Sequence, residues 1–176
     1  MVKYVYSNKN GFTLVELIVT IAIMLMVIAL VFSIGDFGNR YFKKTNIQIY
    51  NQEAVRLVGD YIKKDIRFAK VLNVDKTIVK KQNKNPNYYV LLYKGGHLVK
   101  QEMKNSDDTL VSEKTIGDVL TDLSFISVTD KGMLKYKVTN NANGQNYSVT
   151  YEVILDNISV VVVPSNSTTT IYYANN

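Results

Sequence analysis

Few residues in this chain are equipped for chemistry, and the one most out of place is Glu16. It stands in "KNGFTLVELIVTIAIMLMVIALVFSIG", Lys9 to Gly35, as the one charge within an apolar run. A carboxylate deep in a membrane helix costs on the order of 2.5–3.5 kcal/mol, and intramembrane ionisable residues usually serve a function; the competing reading is a Glu16 close enough to the interface to be hydrated at little cost. The other polar candidates are weaker. His97 is the single histidine, follows a Gly-Gly turn and has no partner at ligand spacing, so it reads as a surface residue. Asp107 and Asp108 in "NSDDTL" lack the alternating oxygens and the glycine of a calcium loop, and read as a plain turn. Glu113, Asp118 and Asp122 show no pairing suited to acid–base work. Lys76, Lys80, Lys81 and Lys84 precede Tyr88 and Tyr89, a mix that can hold single-stranded nucleic acid through phosphate contacts and stacking. A solvated loop leading into a strand is the preferred reading there, and nucleic acid is not an expected partner.

Composition narrows the field. The chain has 176 residues, no Cys, no Trp and a formal charge of +6 from 21 Lys+Arg and 15 Asp+Glu. Basic chains favour nucleic acid or anionic surfaces, but here the lysines are scattered among acids. Without Cys there is no disulfide, thiolate metal site or lipid-modified cysteine. No cofactor, metal or enzymatic activity is expected. Three Asn-x-Ser/Thr sites begin at Asn146, Asn157 and Asn166, and they matter only in a eukaryotic secretory pathway.

The element that must carry Glu16 is a helix. Phe12 to Ile34 is apolar on every face and, at roughly 1.5 Å per residue, spans a hydrocarbon core of about 30 Å. Three readings compete. One is a plain signal anchor. Another is a secretory signal peptide cut after Ser33-Ile34-Gly35, although the run exceeds the usual h-region of about 7–15 residues. The third is a leader that ends before the apolar run. Lys3 and Lys9 precede the run while Arg40, Lys43 and Lys44 follow it, so positive-inside counting sets no orientation.

Beyond Gly35 and Gly38, helical periodicity returns. Ile47, Tyr50, Ala54, Leu57, Val58, Tyr61, Ile62, Ile66 and Ala69 recur at three- and four-residue steps. One helix from Phe12 to about Leu72 would be roughly 90 Å long, so its first half must protrude and its second half must pack. The remainder is strand-rich. Candidate strands are Tyr88–Tyr93, Leu98–Met103, Leu123–Val128, Met133–Thr139, Tyr147–Leu155 and Ile158–Val163. Turns are marked by "YKGGH", "TDKG" and "NNANGQ". "ISVVVVP" is continuously apolar and reads as central or doubly covered. "EKTIGDVLTDL" reads as a loop feeding the Leu123 strand, with a short helix or a strand with a turn as alternatives, and the tail "SNSTTTIYYANN" as an edge strand or a frayed end. The fold class is α+β: a long N-terminal spine helix, its second half packed on an antiparallel sheet domain.

"KNGFTLVELIVTIAI" closely resembles the cleavage and methylation motif of type IV prepilins and pseudopilins, through Lys9, Gly11, Phe12, Thr13, Leu14, Glu16 and Leu17. The resemblance implies that a prepilin peptidase/N-methyltransferase cuts between Gly11 and Phe12 on the cytoplasmic side and methylates the Phe12 amine. Glu16 then lies about one helical turn from that amine and can pair with the amine of a neighbouring subunit, so that neither charge is orphaned. The first half of the helix would remain in the membrane until an assembly platform protein and a motor ATPase extract it. Residues 1–11 are then the leader, 12–35 the transmembrane and assembly helix, 36–72 its amphipathic continuation and 73–176 the β-rich domain.

"VRLVGDYIKKDIRFAKVL" is similar to the end of the spine in J-type pseudopilins and W-type minor pilins. Leu25 and Ser33 stand where many major pilins carry Gly and Pro, and the C-terminal Cys pair is missing. Glu16 is present, whereas K-type tip subunits typically lack it. The expectation is a minor pilin or pseudopilin, single-pass in the cytoplasmic membrane with an extracytoplasmic domain, and later part of an envelope or surface filament. The competing class is a signal-anchored extracytoplasmic binding domain that never polymerises. An exported enzyme would need a pocket of convergent polar groups.

Overall fold

The computed structural model describes residues 11–129, 132–156, 158, 160–162 and 167–175. Most of the leader 1–11, the "TDKG" turn at 130–131, and Asn157 and Asn166 lie outside them. The chain divides into two compact units, one up to Thr45 and one from Asn46 onward. The first contains only the N-terminal part of helix α1, Leu14–Ile66. Every apolar residue of that part, from Leu14 through Phe42, is exposed.

In the second unit the rest of α1 buries one stripe, Asn51, Ala54, Val55, Val58, Gly59, Ile62 and Ile66. The three- and four-residue steps place it there, but Tyr50 and Leu57, expected inside, face solvent while Val55 is buried. The helix also ends at Ile66, short of Leu72. The cause is competition from strand pairing. Val71–Asn73 form β1, and the Lys70 N–H donates to the Ala174 carbonyl at 2.9 Å. Ala69 and Leu72 are buried as their spacing requires, but by sheet packing rather than by continuing the helix.

The remaining elements are α2 (Lys76–Gln82), β2 (Asn87–Lys94), β3 (His97–Lys104), β4 (Leu110–Ile116), β5 (Asp122–Thr129), β6 (Met133–Ala142), β7 (Gln145–Ile154), β8 (Val160–Val162) and β9 (Thr170–Ala174). They form two sheets, ordered β4-β3-β2-β9-β1-β8 and β5-β6-β7. Pairing is antiparallel except between β1 and β8. Two tight hairpins set the register. Gly95 and Gly96 join β2 to β3 at φ 60 and 84, and Asn143 and Gly144 join β6 to β7 at φ 52 and 77. A two-residue turn that matches strand twist needs positive φ at both positions, which these residues supply.

Four sequence expectations change. "EKTIGDVLTDL" is not all loop, because Glu113–Ile116 belong to β4, which pairs with β3. The lysine-rich loop contains α2, capped by Asp75, whose side chain accepts from the Thr77 N–H at 2.8 Å. The apolar β8 lies at a sheet edge rather than in the centre. The C-terminal tail is neither edge nor frayed: β9 sits between β2 and β1, with Ile171 and Tyr173 fully buried.

The main core joins α1 to both sheets through Val58, Ile62, Leu91, Leu123, Phe125, Tyr136 and Tyr173, among others. Gly59 permits the closest approach. A methyl group there would clash with the Tyr151 ring, which stacks on Tyr136 at 5.2 Å between centroids. The Tyr136 hydroxyl donates to the Gly59 carbonyl at 2.6 Å.

Candidate processing and assembly segment

The N-terminal residues form a cap and not merely a helix start. Gly11, Phe12 and Thr13 are non-helical, and α1 begins at Leu14. The Thr13 N–H and hydroxyl both donate to Glu16 Oε2, each at 2.9 Å. The Glu16 N–H returns a bond to Thr13 Oγ1 at 3.3 Å. This reciprocal pair is a capping box, which satisfies amides that the first helical turn leaves without partners. The carboxylate also lies at the positive end of the helix dipole. The Thr-x-x-Glu spacing ahead of an apolar run is the sequence signature of such a box.

Glu16 Oε1 has no partner among the described residues. Phe12 is exposed, and a methyl group added at Gly11 would meet nothing within 4 Å. Further along, the Thr20 hydroxyl bonds the Leu17 carbonyl and the Ser33 hydroxyl the Ala29 carbonyl, both at 2.9 Å. Polar side chains in an apolar helix are thereby satisfied within their own segment. The helix is long and apolar enough to cross a membrane.

The remaining sequence candidates are drawn into the fold. Asp108, with φ 58, accepts from Lys80 at 2.8 Å, Tyr88 at 2.8 Å and Lys76 at 3.1 Å. Those bonds, from Lys80 first, then Tyr88 and Lys76, hold its carboxyl well below the usual carboxylate range. Two of the four lysines considered for nucleic acid are therefore engaged with this acid. Asp107 accepts from the Thr109 hydroxyl and N–H, as a turn residue does, and these bonds lower its pKa. His97 is half-buried rather than on the surface, and its Nδ1 lacks a partner. Glu113 accepts from Gln101 at 2.6 Å, and Asp118 and Asp122 are exposed. Among the described residues no group of three or more His, Asp or Glu could hold a metal.

An apolar helix with a capped, carboxylate-bearing start, continuing into a two-sheet domain, is a pilin-like α+β architecture and fits a single-pass membrane-anchored protein. The family description "Prokaryotic N-terminal methylation motif" matches residues 6–32, the segment that contains Gly11, Phe12 and Glu16. The match covers the N-terminal segment alone, and the motif it identifies is the one carried by type IV prepilins and pseudopilins. No curated protein and no solved structure matches the chain.

Proposed function

We propose that the protein is a minor type IV pilin or pseudopilin, cut between Gly11 and Phe12, methylated on the Phe12 amine, and incorporated into a helical filament through its apolar helix. Glu16 pairs there with the Phe12 amine of a neighbouring subunit. The observation that carries this reading is the division of labour on one carboxylate. Oε2 is occupied by Thr13 of the same chain, while Oε1 has no partner among the described residues. A carboxylate can accept at both oxygens, so capping its own helix leaves Glu16 able to hold a second subunit's ammonium. Transfer of the helix from lipid to a helix bundle exchanges one apolar environment for another. The charge pair therefore sets register more than affinity.

Gly11 supports the cleavage site. Nothing in the described fold requires a glycine there, which agrees with a glycine read by a peptidase. Filament neighbours, the assembly platform and a motor ATPase are the partners this reading names.

Mass spectrometry of the native N-terminus tests it. The expected mature chain starts at Phe12 with one added methyl. A chain that keeps Met1 through Gly11, or starts at Asp36, overturns it. Glu16→Ala is expected to leave the membrane-inserted protein intact but abolish its incorporation into filaments. Incorporation at the wild-type level would remove Glu16 from the assembly contact.

A further inference from the structure

The segment just beyond the apolar run carries a feature that the proposed Glu16 pairing does not involve. Phe37, Tyr41 and Phe42 are each more than half exposed, and Phe37 and Tyr41 stack at 6.3 Å between centroids. Arg40, Lys43 and Lys44 share one face, because residues three and four apart are neighbours on a helix. The aromatics occupy the adjoining arc. Arg40 is engaged by Asp36 at 2.7 Å. Lys43 and Lys44 are exposed and have no ion-pair partner among the described residues.

Position along the helix gives this cluster its meaning. At 1.5 Å per residue Lys43 lies roughly 40 Å along the axis from Glu16. A bilayer measures about 40–45 Å with its headgroup layers included. With Glu16 at one headgroup layer, Phe37 to Lys44 fall in the opposite one. Aromatic rings concentrate at that depth, and long cationic side chains extend from it toward phosphate.

We propose that residues 37–44 form an interfacial collar that binds anionic phospholipid headgroups of the leaflet where the helix leaves the membrane. Phe37, Tyr41 and Phe42 sit at the acyl boundary, and Lys43 and Lys44 hold lipid phosphates. Charge complementarity and continuity with the membrane span select lipid as the occupant. The collar also accounts for the cations after the apolar run, which give orientation counting no answer: they are bound at the surface where they stand.

The collar rests on the membrane-anchored reading, but not on polymerisation. The test uses full-length protein in mixed vesicles of neutral phosphatidylcholine and anionic phosphatidylglycerol. Lipid retained on the purified protein is compared with the bulk ratio, and the protein's N-terminus is read by mass in the same sample. The expected result is enrichment of phosphatidylglycerol, about fivefold per lysine, that collapses to the bulk ratio in Lys43→Gln with Lys44→Gln. Lys63→Gln with Lys64→Gln, on the other unit, should leave it unchanged. Added salt should reduce the wild-type enrichment, as screening requires. Wild-type retention at the bulk ratio overturns the collar, and so does enrichment that survives the Lys43/Lys44 change. A Lys43→Cys disulfide dimer that forms regardless of lipid composition also overturns it, because a second copy would then be the occupant. No enrichment alongside a Phe12 N-terminus would overturn the collar while leaving the processing proposal standing.

Discussion

At the scale of single residues, two positions carry specific local roles. Glu16 is one, since its Oε2 caps its own helix while its Oε1 has no partner among the described residues. Gly59 is the other. Its missing side chain lets the Tyr151 ring lie against α1, and the Tyr136 hydroxyl bonds its carbonyl. Gly59→Ala forces the ring pair and the helix apart. It is expected to destabilise the folded domain by about 1–3 kcal/mol, the usual range for overpacking a filled core. Tyr136→Phe keeps the ring and removes only one hydrogen bond, and should cost about 0.5–1.5 kcal/mol, because the Gly59 carbonyl keeps its helical bond from the Lys63 N–H within α1. Denaturant midpoints on the detergent-solubilised full chain separate the two. If Gly59→Ala unfolds at the wild-type midpoint, the ring contact is not where the structure places it.

At the scale of elements, much of the layout was legible because local chemistry dictated it. The Gly95-Gly96 and Asn143-Gly144 turns fix β2–β3 and β6–β7, and the alternation in "MLKYKVT" marks β6. The spine was legible from its three- and four-residue steps, and the prepilin-like start from contiguous residues. What could not be read depended on contacts distant in sequence. Val71–Asn73 become a strand only because Tyr172–Ala174 pair with them. The tail becomes central only because β1 and β2 leave a gap for it. Deleting residues 170–176 should therefore abolish folding of the second unit and not trim an end. Limited proteolysis that leaves the truncated domain as resistant as the intact one would contradict the sheet order. Asp108 fastens α2 to the β3–β4 turn, again across sequence. Its folded pKa lies below the ordinary value of 3.8, so its contribution is fully present above that value and is lost only in stronger acid, as pH falls through the folded pKa. Asp108→Asn should cost about 1–2 kcal/mol at neutral pH, discounted for the partial exposure of the lysines. It should also flatten the acid limb of the stability profile.

At the scale of the molecule, a chain without Cys holds its domain by packing and buried polar contacts alone, and its pH tolerance follows from them. Tyr136 and Tyr173 lie in the main core. Burial, then the neighbouring Tyr151 and Asp60, raise the pKa of Tyr136. Burial, then the Asp65 charge and the hydrogen bond to Asp65, raise that of Tyr173. Asp65 is itself paired with Lys100 at 2.6 Å, which lies 4.6 Å from the Tyr89 ring centroid. Both phenols thus stay protonated in the fold at a pH where an unfolded tyrosine, with its ordinary value of 10.0, ionises. A raised folded pKa means stability is fully present below pH 10.0 and falls as pH climbs toward the folded value. In an alkaline titration the exposed tyrosines should ionise first, and the buried pair should ionise only together with unfolding. Tyr136→Phe with Tyr173→Phe should lower stability at neutral pH, because hydrogen bonds to Gly59 and Asp65 are lost. The same change should make the alkaline decline shallower, because two proton-releasing groups are gone from the unfolded state. Tyrosinate absorbance followed in parallel with circular dichroism measures both effects. A wild-type decline already under way at neutral pH, or an equally steep decline in the double variant, would mean that something other than these buried phenols sets the upper limit.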